Sequence, residues 1–321
     1  MSRPRGRFAP TPTGPPHLGN ARTALLAWLA ARAEGGEMVM RVEDADRPRL
    51  RPGMEARILG ELRWLGLDWD EGPDVGGPRG PYRQSERLDL YSAALERLAA
   101  AGLAYPCFCS RAEIARAAQA PHGPGDEGPR YPGTCRPLGR VERAELRRKR
   151  RPAWRFQVPA APVAFEDRLC GPRSFDVSAE TGDFVLMRAD GVPAYQLAAA
   201  VDDAAMAITL VVRGDDLLPS TARQLLLHRA LGAAPPAFAH VPLVLGPDGE
   251  RLAKRHGALS VGDLRERGAD PRAVAGFLAA LSGLAPPAAR LEPRELVAGF
   301  ALERVRRGPV AIEAGAVEAL V

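Results

Sequence analysis

Lysine is nearly absent from this 321-residue chain: of 44 basic residues, only Lys149 and Lys254 are lysine and the other 42 are arginine. No apolar run reaches the roughly 18 residues that a membrane-spanning helix requires, so no span is expected. The start, Met-Ser-Arg-Pro-Arg-Gly-Arg-Phe, is basic but leads into no apolar segment, so no signal peptide is expected and the protein should be cytoplasmic. Cysteine is scarce, and in a reducing compartment its four copies are not expected to form disulfides. Charge of one sign is also modest: a formal +5 permits a polyanionic partner without requiring one. With 46% hydrophobic and 26% charged residues, what remains is an ordinary globular chain, long enough for two or three structural units.

Against that scarcity Lys254 stands out, in a loop reading Arg251-Leu252-Ala253-Lys254-Arg255-His256-Gly257. An ammonium is a compact charge on a flexible stem and guanidinium a planar fork, so a phosphate site shaped for one does not accept the other. A retained lysine in a Gly-flanked loop points to nucleotide-phosphate chemistry. Lys149, inside Arg147-Arg148-Lys149-Arg150-Arg151, reads as surface.

Arg5 to Pro10 predicts a strand, followed by the turn-rich Thr11-Pro12-Thr13-Gly14-Pro15-Pro16-His17-Leu18-Gly19-Asn20. A helix is expected over Ala21 to Glu34, with Asn20 as N-cap, Leu25, Leu26 and Leu29 on its apolar face, and Gly35 closing it. Met38 to Val42 predicts a second strand and Gly53 to Leu67 a second helix. Strand, helix, strand, helix at this spacing implies a parallel α/β sheet. Further helices are expected over Leu88–Ala101, Val141–Arg150 and Ser220–Leu231, and strands of an inserted unit over Trp154–Val158 and Val163–Leu169. From Asp183 the α/β pattern resumes through Tyr195–Val201 and Ile208–Arg213, and Val241–Leu245 predicts a buried strand before the Lys254 loop. The 64 residues after Gly257 read as mainly helical.

The strand, stiff turn and helix start around His17 to Asn20 gather backbone N–H groups and the positive helix end at one point, a ready site for phosphate. Gly19, lacking a Cβ, permits close approach of a ligand. More than 200 residues later comes the Arg-Leu-Ala-Lys-Arg loop. Together, Pro-Thr-Gly-Pro-Pro-His-Leu-Gly-Asn and Arg-Leu-Ala-Lys-Arg resemble the HIGH and KMSKS signatures of class I aminoacyl-tRNA synthetases. Arg7-Phe8-Ala9-Pro10-Thr11-Pro12-Thr13-Gly14, Arg41-Val42-Glu43-Asp44-Ala45-Asp46, Tyr195-Gln196-Leu197-Ala198 with Val201-Asp202-Asp203, and Val212-Arg213-Gly214-Asp215-Asp216-Leu217 narrow the resemblance to the glutamyl branch. It spans residues 5 to 260 in order.

That resemblance implies a Rossmann-like parallel nucleotide-binding sheet carrying an inserted zinc-bearing α+β module, with a short helical C-terminal region. The expected division is 1–102 and 183–257 for the catalytic halves, 103–182 for the insertion and 258–321 for the C-terminal part. By the same resemblance, Arg7, Phe8, Ala9, Pro10, Thr11, Glu43, Tyr195 and Arg213 would bind L-glutamate. His17, Gly19, Asn20 and Lys254 would bind ATP with its Mg²⁺, and His17 and Lys254 would be catalytic. The charges agree, since a substrate with two carboxylates and one ammonium calls for arginines and one acid. Two departures stand out: Asn20 replaces the second His of the first signature, and Ala253 replaces a Ser of the second.

Cys107, Cys109 and Cys135 lie within 29 residues, and their spacing predicts a tetrahedral metal site with an open fourth position. The resemblance names Tyr131 for it; His122, in a stretch longer than the family pattern, is a chemically more usual alternative. Cys170 lies outside the cluster and is expected to be inert. The short remainder after the second signature resembles the branch that activates glutamate without tRNA and transfers it to the queuosine base of tRNA(Asp). The alternative is a truncated form charging the 3′ end of tRNA(Glu). A monomer is expected in either case.

Overall fold

Continuous burial along the central strands sets the architecture. In the computed structural model, which describes residues 3–117, 129–246, 248–250, 252, 260–313 and 315–321, successive residues of the central strands enter different cores. Leu210 and Val212 join one apolar cluster and Val211 the other; Met38 and Met40 divide from Val39 in the same way, and Ala239 and Val241 from Phe238. A strand buried on both faces belongs to a parallel sheet covered by helices on each side.

The strands are β1 (Arg5–Phe8), β2 (Glu37–Met40), β3 (Ala104–Cys107), β4 (Ala153–Phe156), β5 (Val163–Asp167), β6 (Gly171–Phe175), β7 (Val185–Met187), β8 (Leu210–Gly214), β9 (Ala237–Val241), β10 (Val244–Leu245) and β11 (Val310–Ala311). The central sheet runs β2-β1-β8-β9-β5-β6, parallel except for the β5–β6 hairpin. A second sheet, β3-β4-β7, is antiparallel.

The helices are α1 (Leu18–Arg32), α2 (Met54–Trp64), α3 (Leu88–Ala100), α4 (Arg111–Ala117), α5 (Arg140–Lys149), α6 (Val177–Glu180), α7 (Tyr195–Ala205), α8 (Leu218–Ala230), α9 (Val261–Glu266), α10 (Pro271–Leu281) and α11 (Pro293–Leu296). One core holds α1, α2, α9 and α10; the other holds α3, α7 and α8. Among the described residues no helix is long and apolar enough to cross a membrane.

Four expectations need correction. The first helix starts at Leu18 and not Ala21, because His17 caps it: its Nδ1 accepts the Asn20 N–H at 3.2 Å. The expected Val241–Leu245 strand is split at Pro242, which has no N–H to give a ladder, leaving β9 and the short β10. Of the strands expected to form the inserted unit, β4 pairs within the small sheet, whereas β5 pairs with β9 and carries β6 into the central sheet. The C-terminal stretch is less helical than expected; β11 pairs in parallel with β10.

Candidate active site

The carboxyl ends of β1, β2 and β8 bring four of the expected amino-acid ligands together. Open α/β sheets bind ligands at that edge. Arg7, at the end of β1, lies 3.5 Å through Nε from Asp203 Oδ1, and Arg41, just past β2, donates to the same oxygen at 2.6 Å. Arg41 also donates to Glu43 Oε1 at 3.2 Å. Burial pushes the Glu43 carboxyl above its usual range, against the pull of Arg41 and Arg7. For Asp203 burial acts in the same direction, but the two guanidiniums win and hold it low. The Glu43 N–H donates to the Pro10 carbonyl at 3.0 Å and the Arg41 N–H to that of Phe8, so the 8–10 segment is stitched to the acid. Thr11 is exposed and Ala9 half-buried beside them.

Arg213, on β8, is 4% exposed, and its guanidinium reaches His240, Gln224, Thr221, the Leu217 carbonyl and the Tyr195 hydroxyl. Among the described residues no carboxylate forms an ion pair with it. Burial lowers its pKa. A buried charge without a counter-ion is costly, and one that faces a cleft is set for an anionic ligand. Tyr195, first residue of α7 and 37% exposed, stands at the solvent side of this group.

The second centre is the turn ahead of α1. With Nδ1 accepting from Asn20, neutral His17 carries its proton on Nε2. A Cβ on Gly19 would lie 3.0 Å from the His17 ring, close enough that the ring would have to shift by a few tenths of an ångström. The first turn of α1 contains no acidic residue to neutralise its positive end. Lys254, with Ala253, lies outside the described residues. The chain on either side of it is described: the Leu252 N–H donates to Val244 O, Ser260 pairs with His17 in a β-bridge, and the Val261 N–H donates to Pro16 O at 3.1 Å. The chain that follows the second signature, at Ser260 and Val261, therefore lies against the start of α1.

The third centre is the cysteine cluster. Cys107 ends β3, and its Sγ lies with those of Cys109 and Cys135 within 4.8 Å of one another. Cys109 and Cys135 Sγ are 3.5 Å apart, and the Tyr131 hydroxyl is 3.3 Å from Cys107 Sγ and 3.9 Å from Cys109 Sγ. Tetrahedral zinc with Zn–S near 2.3 Å sets donor separations of roughly 3.5–3.8 Å. The three separations of 3.3, 3.5 and 3.9 Å lie near that range, so the donors are close enough to converge on one ion. A hydrogen bond from the Cys107 thiol, helped by the Phe108 N–H, holds Cys135 down to about 6; the same bond and burial push Cys107 up to about 12. Burial raises the Tyr131 phenol. Gly182 is fixed by this centre, since a Cβ there would strike Tyr131 O at 2.4 Å. His122 lies outside the described residues. Cys170 has its thiol turned to the His240 carbonyl, away from the cluster.

Sequence reasoning assigned no role to Arg41, Asp203, His240 or Asp167, all less than 2% exposed. For three of them a signal is present: Arg41, Asp203 and His240 are polar residues in or close to an apolar run, as in Phe238-Ala239-His240-Val241, and such residues are seldom buried unless paired; Asp167, between Glu166 and Arg168, carries none.

Residues 4–299 match the family described as tRNA synthetases class I (E and Q), catalytic domain. A glutamyl-Q tRNA(Asp) synthetase of Symbiobacterium thermophilum is 57% identical over 98% of both chains. One from Nitratidesulfovibrio vulgaris is 52% identical over 91% of this chain and 90% of its own length. A glutamate–tRNA ligase of Syntrophus aciditrophicus is 46% identical over 94% of this chain, but over 62% of its own length. Among solved structures, a glutamate-tRNA synthetase from Elizabethkingia anophelis superposes with a TM-score of 0.87 at 32% identity, covering 99% of this chain and 70% of that one.

Proposed function

The chain belongs to the class I tRNA synthetase catalytic-domain family specific for Glu and Gln, and from that premise we propose that it activates L-glutamate with ATP and transfers the glutamyl group to the queuosine base of tRNA(Asp). One observation carries the amino-acid half of this reading: Arg213 is buried, meets only uncharged acceptors, and shares the sheet edge with Glu43, Arg7 and Tyr195. Glutamate supplies what that arrangement lacks, its side-chain carboxylate facing Arg213 and its ammonium facing Glu43. Near-full-length similarity to glutamyl-Q tRNA(Asp) synthetases supports the RNA half over charging of tRNA(Glu).

ATP, with Mg²⁺ on its phosphates, lies across the start of α1, held by the backbone at Gly19 and Asn20, with His17 Nε2–H and the Lys254 ammonium as donors to the phosphates. Attack by the glutamate α-carboxylate on the α-phosphorus releases pyrophosphate. Positioning and preset donors carry this step, one well-placed donor being worth about 2.7–4 kcal/mol. A hydroxyl of the modified base then attacks the acyl carbon of the adenylate, forming the ester and breaking the mixed anhydride, with AMP as the leaving group. The exposed basic helix α5 and the following Arg150 and Arg151 supply cations for RNA phosphates. The protein acts as a cytoplasmic monomer, with the segment 103–182 as a zinc-bearing insertion that lends its β5–β6 hairpin to the catalytic sheet.

Incubation with radiolabelled glutamate, ATP and tRNA from cells with and without queuosine tests the reading. Label should enter only the queuosine-containing pool and map by nuclease digestion to the anticodon of tRNA(Asp). Label at a 3′ terminus, or equal labelling of both pools, would overturn it.

Cys107, Cys109, Tyr131 and Cys135 would hold a zinc ion, whose binding would take protons from the thiols and tie the small sheet together. Elemental analysis of the purified protein should find one zinc per chain, reduced at least tenfold in Cys109→Ser. Tyr131→Phe should keep the metal but weaken it, because three thiolates remain. A metal-free wild-type protein with the same thermal unfolding would remove the assignment.

A further inference from the structure

The five acceptors around Arg213 fall into two groups. Three are short, Thr221 Oγ1 at 2.8 Å, Gln224 Oε1 at 2.9 Å and His240 Nε2 at 3.0 Å; the Tyr195 hydroxyl and the Leu217 carbonyl both stand at 3.3 Å. Guanidinium has five N–H donors, so the short contacts fix its plane and leave one loosely held N–H on each terminal nitrogen for an incoming carboxylate. The contact at Nε makes one demand: His240 Nε2 must be a bare lone pair.

That demand is met one layer further out. His240 Nδ1 lies 2.6 Å from Asp167 Oδ2, and both side chains are fully buried. Asp167 Oδ1 accepts the N–H groups of Leu169, Cys170 and His240 at 3.0, 2.8 and 3.2 Å. Burial opposes ionisation of Asp167, but the hydrogen bonds from His240 and the Cys170 N–H prevail and hold its carboxyl at about 2. Burial likewise lowers the pKa of His240, keeping the ring neutral. An ionised carboxylate only accepts, so the proton sits on Nδ1 and Nε2 is bare. Sheet register builds the relay: Arg213 and His240 are partners across β8–β9, and β5 delivers Asp167 on the far side of β9.

We propose that Asp167 and His240 are positioning residues which, by fixing one histidine tautomer, aim Arg213 into the pocket and set the preference for a side-chain carboxylate over the corresponding amide. The proposal rests on the assignment of glutamate to this pocket. A site that holds its polar group rigidly rejects an analogue that leaves it unpaired, and a loosened one discriminates less.

Asp167→Asn tests this sharply. Its amide oxygen keeps the three backbone bonds while its NH₂ faces Nδ1, which forces the proton onto Nε2 and opposes two donors at Arg213. Binding of L-glutamate and L-glutamine by calorimetry, and pyrophosphate exchange at varied amino acid, are the readouts. The expected result is a glutamate Kd and KM raised about tenfold, the cost of setting one buried donor against another. kcat and the ATP KM should stay within about twofold, and glutamate-over-glutamine selectivity should fall by a similar factor of ten. Adding His240→Gln to Asp167→Asn restores an acceptor, since an amide oxygen can turn to Arg213, and should recover most of the selectivity. Unchanged glutamate affinity in Asp167→Asn, with only the melting temperature altered, would show the pair to be a structural cross-link and overturn the proposal. Should that variant fail to fold, His240→Gln and His240→Leu decide: equal glutamate affinities overturn it, and weaker binding by the leucine variant alone supports it. Wild-type protein that binds neither amino acid overturns the glutamate reading along with it.

Discussion

Replacing Arg213 by leucine should cut glutamate-dependent pyrophosphate exchange by about a hundredfold or more while leaving the protein folded. The two halves of that result have one cause. Arg213 sits at 4% exposure among uncharged acceptors and, among the described residues, has no ion-pair partner, so the folded protein bears much of the desolvation of a cation that a carboxylate ligand would offset. Losing one partner of a buried charge pair costs roughly 2–5 kcal/mol of binding, which is about 30-fold to several thousandfold. Removing the buried cation relieves its desolvation but leaves His240, Gln224 and Thr221 without their donor, so the two effects on stability oppose each other. The loss should appear in the glutamate KM, with the ATP KM little changed, because the turn at His17 caps α1 whereas Arg213 lies on β8. Arg213→Lys should rescue little: an ammonium cannot contact His240, Gln224 and Thr221 at once and still present two parallel donors. Exchange within threefold of wild type in the leucine variant would remove the pocket assignment.

How far the sequence announces this arrangement depends on distance along the chain. The alternation β1, α1, β2, α2 is legible because each element is shorter than its own periodic signal and is bounded by Gly or Pro. The cysteine cluster is legible for the same reason, Cys107 to Cys135 being one local stretch with ligand spacing. The β5–β6 hairpin is not, since Val163 to Phe175 alternates like any strand pair and only the pairing of Asp167 with Phe238 places it in the central sheet. The helix start was misplaced by a rule with a sound basis: Asn caps well, but here the His17 ring already accepts the N–H that starts the helix. The supporting residues are the least legible part. Arg41 and Asp203 are 162 positions apart, and Asp167 and His240 are 73 apart. Neither pairing follows from local pattern, although a charged residue at the end of Met38-Val39-Met40 marks Arg41 as one that must find a partner.

The largest stability effect is expected at Asp202, which touches no substrate. This residue of α7 is fully buried, and its two oxygens accept from Arg87 Nε at 2.7 Å, Gln84 Nε2 at 2.8 Å and the Tyr91 hydroxyl at 2.8 Å, with Arg41 Nε 3.7 Å away. One carboxylate therefore ties α7 to α3, to the turn before α3 and to the end of β2. Asp202→Ala leaves a buried guanidinium, a phenol and an amide without their acceptor. Breaking a buried pair from one side costs about 3–5 kcal/mol, out of a total of roughly 5–15 kcal/mol for a folded domain. The melting temperature should fall by about 5–10 °C. Asp202→Asn should lose less, because one oxygen still accepts from Arg87 and Tyr91 can turn to donate or accept. Loss of order should reach the amino-acid pocket before the cysteine cluster, since Asp203, the next residue, sets Arg7 and Arg41. Hydrogen exchange across 195–205 and 84–91 should then accelerate in the alanine variant while the segment 131–135 keeps its protection. A melting temperature within about 1 °C of wild type would mean that α3 and α7 are held by their apolar contacts alone, and Asp202 would lose its place as the junction of the second core.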